Sequence, residues 1–239
     1  MNAAVDALAK LPGVWRGGEL ESVIHPVVPT GHARLDAELP GGGWPAGLVE
    51  VLCGAEGVGE LQIVLPALAA LAAAGRRIAW LAPPHLPYAP ALRAAGVRLD
   101  CLTVVRAPGR RDALWAAEQA LRAGAFHALL LWLPRASYPE LRRLAVAAQA
   151  GPGFALAFRP PEAGCESSPA VLRLALEPAL PPGTSGLAVR ILKRRGMPLA
   201  AALPLPVERP AFKRPAHALG RAPLSAVPAP GAVARACAA

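Results

Sequence analysis

Short apolar runs that alternate with helical stretches ending in glycine constrain this chain more than any other feature. Leu48–Cys53 (LVEVLC), Ile78–Ala82 (IAWLA), Cys101–Val105 (CLTVV), Ala128–Leu133 (ALLLWL) and Phe154–Phe158 (FALAF) have the length and content of strands. Between them, Glu60–Ala74, Tyr88–Ala95, Asp112–Ala123 and Tyr138–Ala150 read as helices, followed by Gly75, Gly96, Gly124 and Gly151 as helix stops. Such alternation implies βαβ units around a mostly parallel sheet. Near-continuous apolar strands such as ALLLWL fit a sheet covered on both faces. Val171–Glu177, Leu187–Leu192 and Leu199–Val207 then follow without helices between them. The expected class is therefore α/β, with helices flanking the sheet and an antiparallel extension at its C-terminal edge.

Composition narrows the function classes. Hydrophobic residues make up 54% of the 239, yet much of that is Ala. The longest apolar run, Ile63–Ala74, is twelve residues and contains Pro66, whereas a membrane-spanning helix needs roughly 20. Asp6 precedes any basic residue, and no signal-peptide pattern opens the chain. Cys53, Cys101, Cys165 and Cys237 lie far apart with no C-x-x-C spacing, so they read as reduced, mostly buried thiols of a cytoplasmic protein. His25, His32, His85, His127 and His217 show no metal spacing.

The net charge of +9 is concentrated at one end. Residues 188–239 hold nine Lys/Arg against Glu208 alone, while residues 1–187 are close to neutral. A basic end on a neutral body suggests a surface for an acidic protein or for nucleic acid, against the plainer reading of a solubilising tail. Three parts follow: an arm over 1–29, a core over 30–207, and a basic Pro/Ala-rich disordered tail over 208–239.

One loop bears on chemistry. After the first strand comes Gly54-Ala55-Glu56-Gly57-Val58-Gly59-Glu60-Leu61 and then a helix, which is the glycine spacing of a P-loop in its strand–loop–helix context. A working P-loop follows its last glycine with Lys for the phosphates and a hydroxyl residue for Mg²⁺. Here those positions are Glu60 and Leu61. A carboxylate repels phosphate, and Leu cannot ligate a metal. Glu60 reads instead as stabilising a helix N-terminus against its dipole. The acidic Mg²⁺ position at the end of ALLLWL is Trp132, expected to be buried, and Pro83-Pro84-His85 stands where a second carboxylate would. ATP chemistry is not expected, and no cofactor or metal is.

The run from Thr30 to Pro45, TGHARLDAELPGGGWP, resembles the TG-x-x-x-LD-x-x-L-x-GG-x-P entry of RecA-type cores. Further pieces resemble the ImuA family of translesion-synthesis-associated proteins: Leu35–Pro45, Gly57–Leu61, Ala82–Leu92, Leu114–Ala125, Leu130–Ala136, Leu141–Gln149, Ser168–Leu174 and Leu192–Gly196. They run in order over about 30–207, and Glu60 and Trp132 agree with that family's pattern. The resemblance implies a RecA-like core without a working P-loop, serving as a non-catalytic adaptor of SOS-induced error-prone translesion synthesis. It implies docking to ImuB, an inactive Y-family-type polymerase, with an error-prone C-family polymerase reached indirectly and RecA as a further partner. Related degenerate cores occur in SulA-type division inhibitors that bind the tubulin-like protein FtsZ, which is the first alternative. A divergent ATPase of the RecA, RadA or KaiC type is the second.

Remaining candidates are few. Lys193, Arg194 and Arg195 form a basic triplet at a strand end, suited to phosphates or an acidic partner stretch, or else simply solvated. Arg209, Lys213 and Arg214 extend that character. Arg142 and Arg143 are read as flanking a buried stripe of Leu141, Leu144 and Ala148. Trp44 is read as core. Glu38, Glu50 and Glu118 are single carboxylates, and none is assigned acid–base work.

Overall fold

The computed structural model describes residues 27–54, 59–178, 186–196 and 201–206. The expectations for the tail and for most of the arm fall outside them. In chain order the elements are β1 (Val27–Val28), α1 (Ala33–Glu38), β2 (Trp44–Pro45), β3 (Gly47–Cys53), α2 (Leu65–Ala73), β4 (Ile78–Leu81), α3 (Ala89–Ala94) and β5 (Leu102–Val105). They continue with α4 (Arg110–Arg122), β6 (Ala128–Trp132), α5 (Tyr138–Gln149), β7 (Phe154–Arg159), β8 (Leu172–Pro178), β9 (Gly186–Lys193) and β10 (Leu203–Pro206).

The main sheet has the order β10-β9-β8-β3-β7-β6-β4-β5. From β8 through to β5 every pair is parallel, and β9 and β10 add antiparallel strands at one edge. The α/β class and the antiparallel C-terminal extension are as the sequence predicts. The small pairing of β1 with β2, which ties Val27–Val28 to Trp44–Pro45, is not foreshadowed by the local pattern.

Strand alternation splits the core in two. Val49, Val51, Ile78, Trp80, Leu130 and Leu156 face α1 and α2. Leu48, Ala79, Leu81, Leu129, Leu131 and Ala155 face α4 and α5. Trp44 is fully buried, stacked on Phe154, as expected for a core residue.

Helix boundaries follow from proline and glycine. The stretch expected as one helix over 60–74 forms turns up to Val64 and becomes helical only at Leu65. Pro66 has no N–H and is tolerated only in a first turn, so it places the start there. At the other end Gly75 has φ +69, and the N–H groups of Gly75 and Arg76 donate to the carbonyls of Ala72 and Leu71. That pair of hydrogen bonds closes the helix and requires the left-handed conformation glycine adopts without strain. A capping box of Ser137 and Glu140 opens α5.

Candidate functional site

In open α/β sheets ligands bind outside the carboxyl ends of the parallel strands, so that edge is the place to look. β3 ends at Cys53 and Gly54 follows it, with Gly59, Glu60 and Leu61 re-entering before α2. The Gly59 N–H donates to Glu60 Oε2 at 3.1 Å. A backbone N–H of the kind that cradles phosphate in a P-loop is thus held by the chain's own carboxylate. Leu61 is half-buried and packs against the core. Glu60 is not the helix-dipole partner expected, because the turns over 60–64 separate it from α2.

Trp132 closes β6. It pairs in register with Phe158 of β7, and the two rings stack with centroids 5.0 Å apart. Trp80 lies against its other side at 5.6 Å. The expectation of a buried Trp132 needs correcting: it ends an inner strand of the sheet but is half-buried, because it sits where the strand leaves the sheet. Beyond β4, Ala82 holds φ +48, and its N–H donates to the Val105 carbonyl. A cavity of about 300 Å³ opens there, lined by Ala82, Pro83, Pro84, His85, Leu86, Arg106 and Ala107, with no carboxylate among them. Among the described residues, no three His, Cys, Asp or Glu gather as a metal cluster.

The TG…LD motif proves to be a local brace. Asp36 Oδ1 accepts the Thr30 N–H at 2.9 Å, and Thr30 Oγ1 accepts the His32 N–H at 3.0 Å. Gly31, at φ +82, would drive a Cβ to 2.4 Å from Pro66 Cβ, so the entry loop and α2 meet only because it lacks a side chain. Leu35 is buried beneath.

The basic triplet divides. Lys193 Nζ donates to the Ser168 carbonyl at 2.8 Å, and Arg195 is exposed. Arg194 instead folds back onto α1, donating to the Glu38 carbonyl and lying 3.2 Å from its carboxylate. The simply solvated strand end therefore fails for Arg194, whose side chain is only 14% exposed. Arg209, Lys213 and Arg214 lie outside the described residues.

Sequence reasoning missed the charges inside the sheet. Glu50, fully buried in β3, accepts from Arg159 Nη1 at 2.9 Å and from Arg173 Nε at 2.6 Å. Arg159 also reaches the half-exposed Glu166 and the Ala136 carbonyl, and Arg173 the carbonyls of Ala163 and Glu166. The cluster pins the segment after β7 to the sheet. A charged residue inside the apolar run LVEVLC was the available signal, since a buried charge requires a partner. Glu118 likewise is buried and held by Arg122 at 2.7 Å and by Arg143. Of the cysteines, Cys101 is buried, Cys53 half-buried and Cys165 exposed, so burial is less general than expected. No helix among the described residues is long and apolar enough to cross a membrane.

Residues 47–155 match the family model described as cell division inhibitor SulA. The cell division inhibitor SulA of Edwardsiella piscicida is 36% identical over 103 residues, covering 43% of this chain and 61% of that protein. Protein RecA of Salinispora arenicola (strain CNS-205) is 33% identical over 129 residues, covering 54% of this chain and 37% of RecA. The crystal structure of SulA from Pseudomonas aeruginosa aligns at a TM-score of 0.42 and 30% identity, over 48% of this chain and 98% of that one. The chain spans less than two thirds of the length of the curated relatives it matches. Over its central part the chain is SulA-like and RecA-like in sequence.

Proposed function

We propose that this chain is a non-catalytic, cytoplasmic accessory protein of the SOS response, in which a RecA-like core holds protein partners and does not turn over ATP. One observation carries the reading. The Glu60 carboxylate holds the Gly59 N–H and puts negative charge where a P-loop places Lys. Leu61 packed on the core and Trp132 stacked on Phe158 support it, since neither can ligate Mg²⁺.

On this reading the partner is an ImuB-type inactive polymerase of translesion synthesis and mutagenesis, with the C-family polymerase reached through it. RecA and DNA are further contacts, through Lys193, Arg195 and the basic residues Arg209, Lys213 and Arg214. The motif set supports this choice, because it runs in order to Gly196, past residue 155 where the match to SulA ends. That match favours a second reading, a division inhibitor that binds FtsZ. The ATPase alternative has only the glycine spacing behind it.

Retention on the immobilised full chain separates the two partner readings. The first predicts that a purified ImuB-type polymerase is retained and FtsZ is not. The reverse result would replace it with the second reading, and retention of neither would overturn both.

A further inference from the structure

The amino edge of the sheet, where its parallel strands begin, carries a charge that the totals conceal. Residues 61–111 hold seven arginines and, apart from Asp100, no carboxylate. Arg76 and Arg77 lead into β4, Arg93 lies in the last turn of α3, and Arg98 precedes the turn into β5. The two strand starts are neighbours, since Ile78 pairs with Leu102. Cys101 Sγ donates to the Ala72 carbonyl at 3.6 Å, which ties the turn before β5 to the end of α2. Arg93, Arg98 and Asp100 line one open cavity of about 470 Å³. On the other side of β4, the His127 N–H at the start of β6 donates to the Arg77 carbonyl. Burial, and after it the charge of Arg76, keeps the His127 imidazole below its ordinary pKa. Arg122, in the last turn of α4, is placed at the same edge.

Two of these charges are met within the protein. Asp100 accepts from Arg98, and the buried Glu118 is held by Arg122 and by Arg143. Arg76, Arg77 and Arg93 are exposed and form no ion pair with a described residue. Arginines that follow helices have a plain role, since each helix C-terminus carries about −0.5 of a charge. The ends of α2, α3 and α4 meet here, and together, at about −1.5, they offset only half of those three cations.

The rest of the surface indicates what it can hold. Its exposed floor is Ala73, Ala74, Gly75, Ala94 and Gly96, small enough for a phosphate backbone to come close. Among the described residues, none of the exposed large apolar or aromatic side chains lies in 73–77, 93–100 or 122–127. A protein interface needs such anchors at its centre, and a nucleic-acid single strand needs rings on which its bases stack. A duplex needs neither, because cations on its phosphates supply the affinity.

We propose that the amino edge of β4 and β5 is a contact surface for the phosphate backbone of duplex nucleic acid, with Arg76, Arg77 and Arg93 on the phosphates. It is separate from the DNA contact through Lys193 and Arg195, and it does not rest on which protein partner the chain holds.

The test is binding of the full chain to a duplex DNA of about 20 base pairs across a salt series. Variants Arg76→Gln/Arg77→Gln and Arg93→Glu change only exposed side chains, and their folding is checked by thermal melting. The parent should bind the duplex more tightly than a single strand of the same length. In the double variant, affinity at about 0.1 M salt should fall by at least about tenfold, and the slope of log affinity against log salt by about 1.8. Arg93→Glu should weaken binding in the same direction. In the parent, bound duplex should also protect Arg76, Arg77 and Arg93 from phenylglyoxal, a readout that needs no variant to fold. Absent duplex binding, binding unchanged in both folded variants, or absent protection overturns the proposal. So does preference for the single strand, or displacement of the duplex by polyglutamate at equal charge concentration. Lys193→Gln/Arg195→Gln is measured alongside, and if it alone weakens binding, the contact at that strand end stands and this one falls.

Discussion

Trp132 and Phe158 are register partners on β6 and β7, and their rings stack 27° from parallel at the carboxyl edge of the sheet. Trp80 closes the other side. The edge where a nucleotide-binding relative of this fold places acidic and phosphate-facing groups is here an aromatic cluster. Its loss is costly even though Trp132 is half-buried. Trp132→Asp is expected to lower stability by about 3 kcal/mol and to gain no Mg²⁺ binding. Urea unfolding and a Mg²⁺ titration check both parts. An unchanged unfolding midpoint would show that the stack contributes little.

Glu50 has a different role, inside the sheet. It is the counter-charge of both Arg159 and Arg173, each itself buried. Glu50→Gln leaves two guanidinium groups without it and should cost about 3–5 kcal/mol. Replacing all three residues by apolar ones of similar size should recover most of that loss, because no buried charge then remains. Denaturant unfolding of the single and triple variants compares them. A triple variant as unstable as Glu50→Gln would mean that the loss is one of packing.

The overall layout was legible because it rests on local periodicity. Apolar runs of strand length and helices stopped by glycine survive in the structure as β3 to β10, and among the described residues no α-helix follows Phe158, only a single 3-10 turn over Pro161–Cys165. The start of α2 was not read correctly: the helix expected from Glu60 begins only at Leu65, one residue before Pro66. Pairings between distant residues were not legible. Glu50 meets Arg159 and Arg173 across 109 and 123 residues, and Arg194 meets Glu38 across 156. Local pattern says only that a charge in a strand needs a partner, not which one. Trp132 was misjudged for a related reason, since a run of apolar letters does not show where its strand leaves the sheet.

The bridge between α4 and α5 makes stability depend on acidity. Hydrogen bonds from Arg110 and from Ser137 hold the Glu140 carboxyl down to about 2, against its ordinary 4.5. A depressed carboxyl contributes stability that is present above the ordinary value and fades as pH falls from 4.5 towards 2. Solvent screens this partly exposed pair, so its contribution near neutral pH is about 1 kcal/mol. Glu140→Gln should melt below the parent at pH 7, and the gap should close on acidification through that interval. Thermal melts at stepped pH measure it, and a gap independent of pH would contradict the assignment.

The central claim is that the Gly59 N–H, after β3, is held by the chain's own Glu60 carboxylate and not by a nucleotide. Calorimetric titration of the full chain with ATP and Mg²⁺ tests it most directly, alongside Glu60→Lys/Leu61→Thr, which restores the two P-loop residue types. The account predicts no saturable heat for the parent and no ATP turnover in the double variant, since Trp132 and the Pro83-Pro84-His85 turn supply no carboxylate. Mg²⁺-dependent binding of ATP by the parent at micromolar concentration, or turnover by the double variant, would contradict it.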